Sequence, residues 1–289
     1  MKDNESTQGS RPKRPERASP VRPEAAKGAE PPAPLKGVLF DLGSTLQEYR
    51  HEDWDAIAGA INRDLYRYIA SRGQAHRLPP LDAFLDLVNT SMQSRRSSTA
   101  ATMRSHSMLE VLGAVFKQHG IEEMRAEECL LPWYNRLTDL IYIEPDVKPT
   151  LRLLREGGLR LGLVSNTSWP SMAHDSDLER FGVRDLLECR LYSCEVGWEK
   201  PAPKIFEEAL RCLQLPPGQV AFVGDFLRYD IAGAHGVGMK GIWKRVPDRP
   251  QEVDDHSVVP DAVITRIGEL PGVLEALYGW RKRGLRTED

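Results

Sequence analysis

The segment GVLFDLGSTL, residues 37–46, runs from an apolar stretch into an acid, a glycine and two hydroxyl residues. The continuous apolar run at 38–40 predicts a short strand buried on both faces, because a half-exposed strand would alternate polar and apolar residues. Asp41 then stands at the carboxyl end of that strand. Ligands of open α/β sheets bind outside this end, so Asp41 is placed for chemistry on a bound molecule. An acid that caps a turn would give the same local pattern.

Composition limits the classes of protein to which the chain can belong. With 289 residues, 40% of them hydrophobic and 28% charged, it is expected to be soluble and to form roughly one to two domains. A net charge of −3 predicts no nucleic-acid or membrane partner, and no apolar run approaches the ~18 residues of a spanning helix. The four cysteines form no C-x-x-C pair, so we expect reduced thiols in a cytoplasmic protein.

Residues 1–35 are rich in Pro, Arg, Lys, Glu and Ser and contain no aromatic residue. Such a segment buries too little apolar surface to offset the entropy of ordering, so its composition predicts a disordered tail. It lacks the apolar centre of a signal peptide, and it contains more acids than a transit peptide. A short second tail is predicted at 281–289.

Residues 48–142 show helical periodicity instead. Apolar residues recur at steps of three and four in four segments, which predict four amphipathic helices inserted behind the first strand. Asp53 is the expected N-cap of the first helix, and Pro132 is expected to precede the last. The apolar positions of these segments span residues 54–68, 84–92, 108–116 and 133–141.

Strand and helix patterns alternate again from Pro145 to the end of the chain, which implies a mostly parallel sheet with helices on both faces. The predicted fold is therefore α/β, with a Rossmann-like core at 36–47 and 143–280 and an all-helical domain at 48–142. Strands are predicted at 159–164, near Leu191, and at 220–223, 242–243 and 262–264. Helices are predicted at 147–156, 171–181, 204–213, 231–234 and 267–278.

Four segments at the predicted strand ends resemble, in order, the signatures of the haloacid dehalogenase (HAD) superfamily. The resemblance covers residues 36 to about 280, and it implies that the helical domain is a cap between the first and second signatures. The segments are F-D-L-G-S-T-L with Asp41, L-V-S-N-T with Ser165, G-W-E-K-P-A-P-K-I-F with Lys200, and V-G-D-F-L-R-Y-D with Asp225 and Asp230.

The resemblance implies a phosphatase that acts on a small phosphorylated metabolite. Asp41 would attack phosphorus and form an aspartyl phosphate, which divides one difficult displacement into two easier ones. Lys200 would neutralise charge on the transferring group. Ser165 and the backbone around Asn166 would donate hydrogen bonds to its oxygens.

The resemblance also implies a Mg²⁺ site. The ion would be held by Asp41, Asp225 and the main-chain carbonyl of Gly43, since Mg²⁺ prefers oxygen ligands. Asp230 is expected to support the metal site or Lys200 rather than bind the ion directly.

Gly43 departs from the family's usual D-x-D pattern, which makes this a D-x-G variant. The missing second acid usually protonates the leaving group and later activates water, and such catalysis contributes typically about 10²–10⁴-fold. Some phosphatase-like branches of the superfamily also carry D-x-G. Glu48 and His51 are candidates for the missing role.

Two alternatives to the phosphatase remain open. A metal-independent, haloacid dehalogenase-like hydrolase would also dispense with the second acid, although such members typically lack the acid that corresponds to Asp225. A HAD-like binding protein could keep the fold without turnover. A phosphonate-cleaving enzyme would need a cap lysine, and residues 48–147 contain only Lys117.

The sequence leaves the specificity and the assembly of the protein open. The cap residues considered for substrate contact are Tyr49, Arg95, Arg104 and His106, and periodicity alone does not choose among them. We expect a monomer or a small homo-oligomer, because the helical segments lack the sustained heptads of a coiled coil.

Overall fold

A computed structural model describes residues 34–50, 53–121, 124–247 and 257–281. The predicted tail at 1–35 lies outside these ranges except for its last two residues. The predicted tail at 281–289 lies outside them except for residue 281. Within the described ranges, no helix combines the length and the apolar composition that a membrane span needs.

A parallel six-stranded sheet in the order β5-β4-β1-β6-β7-β8 forms the centre of the described structure. A separate antiparallel pair, β2 and β3, joins Tyr49 to Ile141 in register. The predicted α/β class is confirmed. The strands are β1 (Gly37–Phe40), β2 (Glu48–Tyr49), β3 (Ile141–Tyr142), β4 (Arg160–Ser165), β5 (Cys189–Tyr192), β6 (Val220–Gly224), β7 (Lys240–Lys244) and β8 (Ala262–Ile264).

Helices cover both faces of this sheet and also form the segment between β2 and β3. Single π-type turns at 70–74 and 227–231 extend two of the helical regions. The helices are α1 (Trp54–Ile69), α2 (Leu81–Thr102), α3 (Met108–Gln118), α4 (Ala126–Thr138), α5 (Val147–Glu156), α6 (Ser171–Phe181), α7 (Ser193–Val196), α8 (Pro203–Leu213), α9 (Ala232–Gly236) and α10 (Leu270–Tyr278).

Strand β1 lies in the middle of the sheet, between β4 and β6, and all four of its residues are buried. Its side chains alternate between two cores. Val38 and Phe40 pack in the core that includes residues of α5 and α10, whereas Leu39 packs in the core that includes residues of α8. The continuous apolar run therefore reflects burial on both faces, as predicted.

Helices α1 to α4, here called the helical insertion, pack around their own core, which includes Leu65, Phe84, Leu112 and Trp133. The cap of α1 is as predicted, because the Asp53 carboxylate accepts hydrogen bonds from the main-chain N–H groups of residues 55 and 56. The division of the chain into tail, core and cap domains stays a prediction.

The predicted start of the last helix of the insertion is wrong. Helix α4 begins at Ala126, so Pro132 lies inside it and not before it, and Ile141 belongs to β3. A proline within a helix removes one main-chain hydrogen bond. Here Leu130 and Trp133 are buried on either side of Pro132, and this burial offsets the loss.

The expectation of free thiols is wrong for one pair of cysteines. Cys189 of β5 and Cys212 of α8 form a disulfide, with Cα atoms 6.0 Å apart, while Cys129 and Cys194 are free. The two bonded residues are 23 positions apart and meet because α8 packs on β5, which a search for short cysteine spacings does not detect. The predicted cytoplasmic location rested partly on free thiols and remains a prediction.

Candidate active site

Three adjacent parallel strands end in polar residues at the same edge of the sheet. Asp41 follows β1, Ser165 ends β4, and Asp225 follows β6. The backbone continues the pairing past the end of β1, since the N–H of Asp41 donates to the carbonyl of Val223 at 2.8 Å. The order β4-β1-β6 thus places the three side chains side by side, with Asp41 in the middle.

A cavity of about 830 Å³ opens over these strand ends, and residues of the helical insertion line its other side. The structure brings all the predicted site residues to this cavity. They are Asp41, Gly43, Ser165, Asn166, Lys200, Asp225 and Asp230.

Lys200 is buried between two carboxylates. Its Nζ lies 2.5 Å from Oδ1 of Asp41 and 2.7 Å from Oδ1 of Asp230. Burial by itself lowers the pKa of the Lys200 ammonium, but Asp230 and Asp41 outweigh that effect and raise it above its ordinary value. Lys200 therefore carries a fixed positive charge beside Asp41.

Asn166 holds the main chain of Lys200 from both sides. Its Oδ1 accepts from the N–H of Lys200 at 2.7 Å, and its Nδ2 donates to the carbonyl of Lys200 at 3.0 Å. The Asn166 side chain therefore positions Lys200. The expected role of the backbone at Asn166 in binding a substrate stays a prediction.

Asp41, Asp225 and Asp230 form a buried acidic cluster whose oxygens lie within 4.8 Å of one another. Burial raises the pKa of the Asp230 carboxyl, against the lowering effect of Lys200. Its Oδ2 also accepts from the N–H of Phe226 at 2.9 Å. Three buried carboxylates at this spacing offer the oxygen ligands that a hard divalent cation prefers, so the donor set fits such an ion.

Gly43 and Tyr49 meet at the wall of this cavity. A Cβ added to Gly43 would lie 3.6 Å from Cε2 and 3.8 Å from the hydroxyl oxygen of Tyr49, which is ordinary van der Waals contact. The Tyr49 hydroxyl accepts a hydrogen bond from Nε2 of Gln47 at 3.0 Å. Burial raises the pKa of Tyr49 to about 12, the Gln47 hydrogen bond opposes this, and the charge of Asp41 adds to it.

The structure does not bring Glu48 to the cavity as a replacement for the missing acid. Its carboxylate accepts from Nζ of the buried Lys244 at 2.8 Å, and the same Nζ donates to the carbonyl of Ser44 at 2.7 Å. Glu48 is not among the residues that line the cavity. The second candidate, His51, lies outside the described residues.

The basic and aromatic residues considered for substrate contact divide into two groups. Tyr49 and His106 line the cavity. Arg95 instead pairs with Glu110 at 2.8 Å, and the guanidinium of Arg104 stacks on the Trp198 ring with 3.8 Å to the centroid. Arg96, next to Arg95, does line the cavity.

The link between α2 and α3 attaches the helical insertion to the site. The N–H of Glu199 donates to the carbonyl of Met103 at 2.9 Å, and the N–H of Met108 donates to the carbonyl of Ser168 at 2.8 Å. This link therefore contacts the loop that carries Lys200 and the loop that follows Ser165.

Sequence reasoning missed several residues of the cavity wall, among them Met103, Trp169, His174 and Tyr229. Trp54 was assigned to the apolar face of a helix, but its side chain is 51% exposed and lines the cavity. No local signal separates these residues from ordinary helix and loop positions, because the wall forms only when the helical insertion packs against the strand-end loops.

Comparison with known proteins gives a consistent result. The sequence pattern of the haloacid dehalogenase-like hydrolases matches residues 35–238. Glyceraldehyde 3-phosphate phosphatase of Methanopyrus kandleri is 40% identical over 143 residues, which are 48% of this chain and 60% of that protein. The chain thus spans less than two thirds of that relative.

Two further proteins match over most of their length. Ribulose-1,5-bisphosphate 5-phosphatase of Halopiger xanaduensis is 27% identical, over 71% of this chain and 82% of that protein. The crystal structure of a HAD phosphatase from Thermococcus onnurineus superposes on this chain with a TM-score of 0.57 at 26% identity. The superposition covers 86% of this chain and 100% of the chain in the crystal structure.

Proposed function

This chain belongs to the haloacid dehalogenase-like hydrolases, and we propose that it is a phosphatase that releases phosphate from a small phosphorylated metabolite. The observation that carries the proposal is the contact between Lys200 and Asp41, 2.5 Å, at the floor of a cavity lined by strand-end residues. Phosphatases named among the relatives support the same reaction class.

In the proposed reaction, a carboxylate oxygen of Asp41 attacks phosphorus, and the bond from phosphorus to the alcohol oxygen breaks. The departing alkoxide takes a proton to leave as the alcohol. Water then attacks the phosphorus of the aspartyl phosphate, so that Asp41 is released as a carboxylate together with inorganic phosphate. Lys200 fixes the carboxylate and places positive charge where the phosphoryl oxygens arrive.

We propose that Ser165 binds the phosphoryl group through its hydroxyl, since it is buried at the end of β4 beside Asp41. The main-chain N–H of Asn166 is the second donor in this proposal, while its side chain keeps Lys200 in place. Both donors meet charge on the phosphoryl oxygens, which is where phosphoryl transfer needs stabilisation.

Asp41, Asp225 and the main-chain carbonyl of Gly43 would hold a divalent cation, which we propose is Mg²⁺. When bound, the ion would offset the repulsion between the nucleophile and the phosphate. Asp230 stays with Lys200 and with the N–H of Phe226. The three buried carboxylates support this reading over a metal-independent, halide-releasing hydrolase.

The test is phosphate release by the purified protein with Mg²⁺ and after chelation by EDTA. Glyceraldehyde 3-phosphate is the first substrate to assay, because a similar phosphatase is named for it. We expect turnover that depends on Mg²⁺, a loss of about 10³-fold or more in Asp41→Asn without a change in Tm, and a higher Mg²⁺ requirement in Asp225→Asn. Full turnover by Asp41→Asn would reject the covalent route.

A further inference from the structure

Three large apolar side chains are exposed at the cavity and are not buried in a core. Trp54 is 51% exposed, Met103 44% and Tyr229 39%, and all three line the cavity. Trp169 and Phe226 add two more aromatic rings to its lining. Exposed apolar side chains that line one concave site favour a bound partner with apolar surface of its own.

The local structure fixes these side chains in place. Trp54 is the first residue of α1, directly behind the Asp53 cap, and it packs edge-on against the Tyr49 ring with centroids 5.2 Å apart. Tyr229 packs edge-on against Phe226 at 5.7 Å. Rings held in this way lose little conformational freedom when a ligand packs on them.

Met103 is held in a conformation that is unfavourable for a side chain with Cβ. Its φ is 57°, in the left-handed region, which costs roughly 1–2 kcal/mol for a residue other than glycine. Its carbonyl accepts from the N–H of Glu199, next to Lys200. A glycine would fit this backbone better, so the methionine side chain is retained at a cost in stability at the cavity wall.

Three polar side chains of the same wall bond to one another. Oγ1 of Thr99 donates to the carbonyl of Arg104 at 2.7 Å and lies 3.2 Å from Nδ1 of His106. Nε2 of His106 lies 3.3 Å from Oγ of Ser168. Thr99, His106 and Ser168 therefore have little hydrogen-bonding capacity left for the hydroxyls of a sugar alcohol, although Arg96 and Arg228 also line the cavity.

We infer that the alcohol part of the substrate carries an aromatic or heteroaromatic ring, which packs on Trp54, Met103 and Tyr229 while the phosphate lies over Asp41 and Lys200. The inference rests on the proposed phosphatase function. The cavity of about 830 Å³ lies near the upper end of the ~300–1,000 Å³ typical of pockets for drug-sized ligands, so it has room for a ring beyond the phosphate.

The test compares esters that share the bond to be broken, with an aromatic ring in one member of each pair and none in the other. The two pairs are adenosine 5′-monophosphate with ribose 5-phosphate, and 2-phenylethyl phosphate with ethyl phosphate. Each pair has a primary alcohol as leaving group, so leaving-group acidity does not create the difference. We expect kcat/KM to be at least about 10-fold higher for the member of each pair that carries the aromatic ring.

Two variants and a control locate the preference. The quantity compared is the ratio of kcat/KM for the aromatic ester to kcat/KM for its partner without the aromatic ring. Trp54→Ala and Met103→Gly should each reduce this ratio at least about 3-fold. Met103→Gly should not lower Tm, because glycine adopts a positive φ without strain. The control Leu131→Ala removes an apolar side chain that is 38% exposed on α4 and does not line the cavity, so the ratio should stay unchanged.

Binding of phosphonates, in which CH₂ replaces the ester oxygen, separates this inference from the proposed function. 3-Phenylpropylphosphonate should bind at least about 10-fold more tightly than propylphosphonate in calorimetric titration. Equal affinities, equal kcat/KM within each pair, or a ratio that survives both variants would overturn the inference. Tight binding of the ring-bearing phosphonate without turnover of any ester would reject the phosphatase, while the preference of the cavity for an aromatic ring beside the phosphate group would still hold.

Discussion

Gly43 leaves space beside Asp41 where the usual family pattern has a second acid. Its backbone is not in the left-handed region, since Gly43 is not among the glycines of positive φ. A Cβ there would meet the Tyr49 ring at 3.6 Å, which is ordinary contact. The Cβ of an aspartate therefore fits at this position without strain on the backbone.

The first prediction concerns the leaving group. An alkyl phosphate expels an alkoxide that needs a proton, whereas a nitrophenyl phosphate expels a stable anion, so the missing acid slows the first ester more. The wild type should cleave p-nitrophenyl phosphate far better than 2-phenylethyl phosphate, an alkyl ester that also carries an aromatic ring, so a preference for rings does not create the difference. Gly43→Asp should narrow this gap by raising kcat/KM for the alkyl ester by ~10-fold or more.

Steady-state kinetics with both esters decide this point. Fast cleavage of 2-phenylethyl phosphate by the wild type, unimproved in Gly43→Asp, would mean that another group already donates the proton. Unchanged Mg²⁺ affinity in the variant is the control, because the new carboxylate lies close to the proposed metal ligands.

His174 is a buried imidazole in α6. Its Nε2 lies 2.8 Å from Oγ1 of Thr167, its Nδ1 lies 3.4 Å from the Tyr134 hydroxyl, and its ring stacks on Tyr192. Burial lowers the pKa of His174 to about 4, against a smaller raising effect of Asp175. The folded protein thus holds this ring neutral at a pH where the unfolded chain protonates it.

The second prediction follows from that difference in pKa. As the pH falls from 6.5 towards 4, the unfolded state binds a proton that the folded state refuses, so stability falls. The loss attributable to this group is about 3 kcal/mol at ~1.4 kcal/mol per pKa unit. Urea unfolding at several pH values measures this loss. Between pH 6.5 and 4, the free energy of unfolding should fall less in His174→Gln than in the wild type. His76→Gln, at an exposed histidine, should follow the wild type.

At the scale of elements, the short helix α9 contains two glycines in different surroundings. A Cβ on Gly233 would lie 2.5 Å from Cε2 of Phe206 and 3.2 Å from Cα of Pro201, so glycine lets α9 approach α8 and the loop of Lys200. A Cβ on Gly236 would meet no described atom within 4 Å. The pair offers a matched test of close packing behind the site.

The third prediction is that Gly233→Ala lowers the free energy of unfolding by about 1–3 kcal/mol, because the added methyl group overpacks the contact with Phe206. Gly236→Ala should raise it by about 0.4–1 kcal/mol, because alanine reduces the entropy of the unfolded chain. Denaturant unfolding of both variants measures the two effects. Equal effects of the same sign would contradict the packing argument.

At the scale of the whole molecule, β1 begins at Gly37, and the two residues before it are held in the fold. Leu35 is buried in the core, and the N–H of Lys36 donates to the carbonyl of Gln219 at 2.8 Å. The composition of residues 1–34 gives them little apolar surface to bury.

The fourth prediction is that removal of residues 1–34 leaves Tm and kcat/KM unchanged, since Leu35 and Lys36 are retained. A matched deletion that also removes residues 35–40 takes away β1 and should prevent folding, because that strand is central in the sheet. A fall of several degrees in Tm after the shorter deletion would contradict this prediction.

Local patterns predicted much of the fold. Apolar runs located the strands of the parallel sheet, and the helices at 147–156 and 171–181 begin and end where periodicity placed them. The predicted start of the fourth helix was wrong, because burial on both sides of Pro132 overrides the usual effect of an internal proline. The disulfide between Cys189 and Cys212 was not predicted, because it depends on the contact between β5 and α8.

The sequence by itself determined which residues stand at the strand ends. Asp41, Ser165 and Asp225 follow apolar runs, and parallel strands bring such ends to one edge, so local pattern and topology suffice to place them together. The tertiary structure alone decided that Lys200 lies between Asp41 and Asp230, that Tyr49 stands beside Gly43, and that Trp54 and Met103 face the cavity. Lys200 is 159 residues from Asp41, so their contact depends on the packing of the sheet and its loops. Trp54 and Met103 reach the cavity because the helical insertion packs against the strand-end loops.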